Sequence, residues 1–240
     1  MLFMVLIAAL CMLNMNCSAN KSLTAGEYRS NVLIDPYNPK AHYELADCYY
    51  RDGDYKMAIH EFKQAIKHKE GFPEAHAGLG LAYSKIHAYS SAERHLNIAL
   101  VQNPRIKKYR SELVDLYSQL GRQNLKFYNV VEAMDMFKKA LILDKKDREA
   151  REDLAVAYCI AATELKNFEK LGPAKAFYGK ALELDKRSKI AKKGLSDVLA
   201  KIGHRYQLQN QPKLAIVQYR QALEYDQDNQ LARSGLKTLR

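Results

Sequence analysis

The sequence predicts an all-α chain, a solenoid of antiparallel helix pairs. Three observations carry that expectation. A leucine, a small residue and an aromatic recur in phase, each trio followed by alanine, a large apolar residue and alanine. The copies keep fixed spacings of 34 and then 41 residues. Turn-forming residues fall between the copies and between their halves.

The first trios are Leu45, Ala46 and Tyr49, then Leu79, Gly80 and Tyr83, then Leu113, Val114 and Tyr117. Leu154, Ala155 and Tyr158 follow, and then Leu195, Ser196 and Leu199. A leucine, its small neighbour and an aromatic four places on share one helix face. The second halves run Ala58, Phe62, Ala65; Ala92, Leu96, Ala99; Ala133, Phe137, Ala140; Ala174, Tyr178, Ala181; Ala215, Tyr219, Ala222. Alanines seven apart let two helices approach closely, and the large residue between them fills the gap to the next pair. Asp52-Gly53-Asp54 reads as the turn inside the first pair, and Pro36 and Pro104 as stops between pairs. One pair cannot bury its apolar face alone, so the pairs must stack.

From the third copy the aromatic-to-alanine distance grows from 9 residues (Tyr49 to Ala58) to 16 (Tyr117 to Ala133). The added segments GRQNLKF, AATELKN and HRYQLQN lack proline and read as helix. Seven residues is about two turns, roughly 10 Å of rise. The first helix of each of the last three units is therefore expected to be longer by two turns.

This pattern resembles the tetratricopeptide repeat family over about Thr24 to Arg240. The resemblance implies a right-handed superhelix with units near 39–72, 73–106, 107–147, 148–188 and 189–229, and a closing helix at 230–240. Thr24 to Pro36 looks like the second helix of a leading half-unit. Glu70, Lys145, Lys186 and Gln227 replace the inter-unit proline, so those junctions are expected to be less sharply punctuated. The resemblance also implies a partner-binding groove lined by first-helix residues. In this chain these are Lys40, Tyr43, Asp47, Tyr50 and Arg51, then Leu81, Ser84 and Lys85, then Lys108, Ser111, Asp115 and Gln119. Glu152, Val156, Ile160, Lys193, Asp197 and Lys201 extend the set. A protein or peptide partner is expected there. The family's chaperone-tail clamp is disfavoured, because Tyr43, Asp47, Gly78 and Glu112 stand at four of its positions.

Residues 1–20 read differently. Leu2 to Leu13 is uncharged and about twelve residues long, short of the ~20 a membrane-spanning helix needs but suited to a secretory leader. Cleavage after Ala19 and lipidation of Cys17 both remain open, as does an apolar helix lying on the solenoid. The expected location is exported, periplasmic or membrane-anchored in a bacterial envelope, and the leader is the only expected membrane contact. Bacterial tetratricopeptide lipoproteins that help assemble pili or outer-membrane machinery are similar in kind.

No catalytic, metal or cofactor motif stands out, so a non-catalytic scaffold is expected. His60-Glu61 lacks the second histidine of a zinc helix. His42 and His76 occupy equivalent places and are expected on a solvated helix face. Cys48 and Cys159 lie three repeats apart, at ~10 Å per repeat, too far for a disulfide, and are expected as buried thiols. The chain carries a net charge of +11, of which residues 1–106 hold +1 and residues 107–240 hold +10. That half would suit an acidic protein or an anionic surface; nucleic acid is disfavoured. Two rival readings stay open: a cytosolic or inner-membrane adaptor for an acidic partner, and an accessory module of an enzyme complex.

Overall fold

A computed structural model describes residues 24–105 and 107–239. The leader at 1–20 and the lipidation candidate Cys17 lie outside the described residues. Twelve helices and no strand are found among the described residues. The chain divides into two compact units, Met1–Arg105 and Ile106–Arg240.

Among the described residues the first unit begins with α1 (Ala25–Ile34), started by a capping box in which Thr24 and Glu27 each bond the other's backbone N–H. Two helix pairs follow, α2 (Pro39–Arg51) with α3 (Tyr55–His68), and α4 (Pro73–Lys85) with α5 (Tyr89–Gln102). The second unit holds α6 (Lys107–Lys126) with α7 (Val130–Leu143), α8 (Arg148–Asn167) with α9 (Leu171–Leu184), and α10 (Lys189–Leu208) with α11 (Pro212–Tyr225). Helix α12 (Gln230–Thr238) closes it. The first helices have 13 residues in α2 and α4, and 20 in α6, α8 and α10. The two added turns are therefore helix, as the spacing predicts.

Every large or small residue of the ten repeating trios is buried except Tyr83, which is partly exposed. Phe62, Phe137, Tyr178 and Tyr219 are each at most 2 % exposed. Burying such a ring contributes about 1.5–3 kcal/mol each. The rings fill their space so fully that glycine is required opposite some of them. A Cβ on Gly78 would collide with Phe62, one on Gly121 with Phe137, and one on Gly235 with Tyr219. Within each unit every helix packs on its chain neighbours, and successive first helices also touch: α2 with α4, α6 with α8, α8 with α10, α10 with α12. The result in each unit is a row of first helices backed by a row of second helices.

The turns inside the pairs follow one rule. Gly53, His87, Tyr128, Glu169 and Asn210 all take left-handed φ, between 56° and 84°. In each, the residue after it donates its N–H to the carbonyl five back, as Asp54 does to Tyr49 at 2.9 Å and Lys170 to Leu165 at 2.9 Å. This is the Schellman closure. Only the first copy uses the glycine that the conformation favours.

The structure corrects two expectations. Three of the four junctions lacking proline are sharply made, because Asp144, Asp185 and Asp226 stand just before Lys145, Lys186 and Gln227 and end the helices through their side chains. Each accepts the N–H two residues on, for example Lys146 at 2.8 Å and Arg187 at 2.9 Å. Three residues after each stands the cap of the next helix, Asp147, Ser188 or Asn229. Second, His42 and His76 are not on a solvated face, since each is only 6 % exposed. His42 sets Nδ1 2.7 Å from Glu61 Oε2 and Nε2 3.0 Å from the Pro36 carbonyl. His76 stacks on His95, with their Nδ1 atoms 3.1 Å apart.

Candidate functional site

The candidate surface is the face of the first helices, and the two units build it with different chemistry. In the first unit, α2 carries Lys40, Tyr43, Asp47, Tyr50 and Arg51. Tyr43 leans on Phe72 and Phe62, with ring centres 5.2 and 5.8 Å apart. Burial, followed by the charges of Asp47, Glu74 and Glu44, pushes its phenol up. Tyr50 packs on Tyr55 at 5.6 Å. The charges here pair among themselves on the same helix: Lys40 with Glu44 at 3.6 Å and Arg51 with Asp47 at 3.2 Å. Both pairs are exposed and contribute ~0.3–0.5 kcal/mol each. Lys85 is exposed at the end of α4.

The added turns supply most of the links in the second unit. Arg122, on α6, places Nη2 2.7 Å from Glu149 Oε2 and Nε 2.7 Å from Asp153 Oδ2, both on α8. Lys166, on α8, reaches Asp197 of α10 at 3.3 Å. Glu169, in the turn after α8, accepts from Lys201 and from Arg205 on α10, the latter at 2.7 Å. These cations hold its carboxyl below the usual carboxylate range. The Tyr178 hydroxyl lies 2.8 Å from Thr163 Oγ1, and that of Tyr219 donates to Gln207 at 2.8 Å. Thr163 and Gln207 both lie in the added turns. The extra turns thus supply partners for tyrosine hydroxyls that phenylalanine would lack.

Sequence-predicted groove residues therefore take different places. Asp197 is already engaged, by Lys166 and by Asn229 Nδ2 at 3.3 Å. Lys108 and Lys193 are exposed. Val156 and Ile160 line an apolar cleft of about 240 Å³ between α8 and α10, with Cys159, Thr163, Glu164, Ser188 and Ile190. Val156 is 46 % and Ile190 65 % exposed. Asp115 and Gln119 line a polar recess of about 370 Å³ between α6 and α8, with Ser118, Arg122, Asp147, Arg148 and Glu149. Burial, and then Asp147 and Glu149, raise the Asp115 carboxyl against the opposing pull of Arg122.

Sequence reasoning missed Ser118, Ile190 and the partners of the buried histidines. Glu61 and His95 each lie 19 residues after their histidine, a shared spacing that was readable. Burial, with His76, Arg94 and Lys63 nearby, lowers the His95 imidazole to about 4. The free thiols of Cys48 and Cys159 are buried, and burial raises both. Among the described residues no group of three or more His, Cys, Asp or Glu is placed to hold a metal ion. Among the same residues no helix is long and apolar enough to cross a membrane.

No curated protein matches the sequence. Among solved structures, the chain is similar to YrrB, a TPR protein with an unusual peptide-binding site, at 18 % identity over 89 % of this chain and 100 % of that one, with a TM-score of 0.42. A tetratricopeptide repeat protein from Parabacteroides merdae ATCC 43184 is similar at 14 % identity over 90 % of each chain, with a TM-score of 0.41. PilF from Pseudomonas aeruginosa is similar at 16 % identity over 88 % of this chain and 86 % of that one, with a TM-score of 0.38. A tetratricopeptide repeat model matches residues 39–72, and a second matches residues 196–229. The first match is the α2–α3 pair and the second spans most of α10 with α11, so tetratricopeptide repeats stand in both units of this chain.

Proposed function

We propose that the chain is a non-catalytic adaptor that holds a protein or peptide against its first helices, in the assembly of a bacterial envelope structure. Tetratricopeptide repeats generally mediate protein–protein interaction. The observation that carries the reading here is the apolar cleft between α8 and α10, flanked by the exposed aliphatic side chains of Val156 and Ile190. Each would lose water on contact with a partner, at about 25 cal/mol per Å² of apolar surface covered. Salt links on either side fix the helices that present them. An aliphatic or aromatic anchor surrounded by polar side chains is the usual form of a binding hot spot.

The exported location rests on the uncharged run Leu2 to Leu13 with Cys17 and Ala19 behind it. Intact mass from fractionated cells tests it: a cut after Ala19 or a lipid on Cys17 supports export, and a soluble chain still starting at Met1 contradicts it. For the binding surface, the double variant Val156→Asp with Ile190→Asp is decisive. Both side chains are exposed, so helicity should stay unchanged while recovery of the native partner falls at least tenfold. Equal recovery would remove the cleft from the interface.

A second reading, an acidic partner on the basic half, is favoured by the +10 of residues 107–240. The acids paired with Arg122, Lys166, Lys201 and Arg205 are already subtracted in that net figure, so the whole +10 is left for a partner. Raising salt from 50 to 300 mM separates the two readings: it would release an acidic partner and leave an apolar contact in place.

A further inference from the structure

The recess between α6 and α8 contains an unsatisfied polar atom. Ser118 is 4 % exposed, and its Oγ is the one side-chain nitrogen or oxygen among the described residues that is buried with no hydrogen-bond partner. An unmet buried hydroxyl is destabilising, and native proteins rarely keep one without a use. Ser118 lines the same recess as Asp115, one helical turn earlier on α6.

The charges around it are unevenly matched. Arg122 is engaged by Glu149 and Asp153, both at 2.7 Å. Asp147 is occupied as the cap of α8, accepting the Ala150 N–H at 2.7 Å. Arg148 is held by Glu152, at 2.7 Å. Asp115 has no cation within ion-pair distance among the described residues, and its neighbours in the recess include Asp147 and Glu149. The recess thus offers an unpaired carboxylate and an unpaired hydroxyl side by side. With a volume of about 370 Å³, it has room for a side-chain head and several waters, each of which takes about 30 Å³.

We infer that this recess is a subsite for a primary ammonium group, the side chain of a lysine on the bound protein, received by Asp115 and Ser118. The inference rests on the adaptor reading and names the chemistry of its partner at this place. An ammonium head brings three N–H donors on a compact charge, which suits a carboxylate and a hydroxyl that converge from one helix face. A guanidinium would instead seek a planar pair of acceptors. A divalent ion lacks ligands here, since no group of three is placed for one among the described residues.

The test uses the full chain, labelled with nitrogen-15 and titrated with N-acetyl-lysine methylamide. The expected result is saturable amide shifts confined to residues 115–122 and 147–149. N-acetyl-norleucine methylamide, which keeps the stem and lacks the charge, should give none. Asp115→Asn should weaken the lysine probe at least tenfold. Ser118→Ala should weaken it about threefold while leaving the thermal midpoint unchanged or higher, because the variant removes an unmet hydroxyl. Equal shifts from the norleucine probe, from sodium chloride at matched ionic strength, or in Asp115→Asn would overturn the inference. So would tighter binding of N-acetyl-arginine methylamide. A chain that ignores the lysine probe but still loses its partner on Val156→Asp with Ile190→Asp refutes this subsite and keeps the adaptor reading. The opposite pair of results keeps the ammonium subsite and removes the cleft between α8 and α10 from the interface.

Discussion

The helix pairs of residues 39–102 and those of residues 107–225 share one packing pattern and differ in what their first helices present. In the shorter pairs, the links made by the first helices are largely between rings. Tyr43 lies on Phe72, and Lys63 sits 5.6 Å over the Tyr83 ring. His42 and His76 are buried against Glu61 and His95. In the longer pairs, two extra turns bring Arg122, Lys166 and Arg205 into ion pairs with the next pair or with its preceding turn. The difference teaches that the buried stripe of leucine, alanine and aromatic sets the stacking, while the length of the first helix sets what lies on the surface.

That comparison can be broken most forcefully at the rings. Phe62→Ala and Phe137→Ala each remove a side chain at most 2 % exposed, and each should cost about 3–5 kcal/mol. If the two units are independent packing blocks, hydrogen exchange should show lost protection confined to the unit that carries the change. Loss spread evenly over both would refute the division. A smaller effect is expected from glycine. A Cβ on Gly121 meets the Phe137 ring, so Gly121→Ala should destabilise by about 1–3 kcal/mol. Gly179 faces open space on α9, and Gly179→Ala should stabilise by up to about 1 kcal/mol. Urea midpoints measured on the two variants check the contrast; a shared sign would contradict it.

Smaller still is Arg122→Ala, which removes two partly exposed ion pairs and should cost about 1 kcal/mol or less, and less again in 0.5 M salt. A salt-independent loss in urea titration would mean that Arg122 acts by packing. The last expected effect, absent at neutral pH, is a dependence on pH that belongs to the shorter pairs. Folding lowers the His95 imidazole from 6.5 to about 4, chiefly by burial and then by His76, Arg94 and Lys63. The folded state therefore binds fewer protons than the unfolded one between those values. The stabilising contribution is complete above about pH 6.5 and is lost as pH falls from there through 4. The thermal midpoint should drop over that range in the native chain and drop less in His95→Gln. Parallel curves would contradict the assignment.

Much of the fold was legible because it depends on period. Leucine four places before an aromatic and alanines seven apart can serve only one helix face, and a spacing of 41 in place of 34 can add whole turns without changing that face. The histidines were misread because equivalent polar residues look solvated until their partners are found. Glu61 and His95 stand on the second helix of each pair, outside the local pattern. The junctions were misread for a related reason: Asp144, Asp185 and Asp226 stop a helix through side-chain hydrogen bonds, which proline-counting overlooks. The groove residues were placed by position along α2, α4, α6, α8 and α10, and position alone neither separates Asp197, already paired, from Asp115, which is not, nor points to Ser118.

The central claim is that a protein partner lies on the first-helix face. The most direct measurement places a photo-crosslinking amino acid, p-benzoylphenylalanine, at Val156 on α8 or at Arg220 on α11 in the full chain in its native cell. The account predicts a crosslink to one protein from position 156 and none from position 220. Equal crosslinking from both, or crosslinking from position 220 alone, would contradict it.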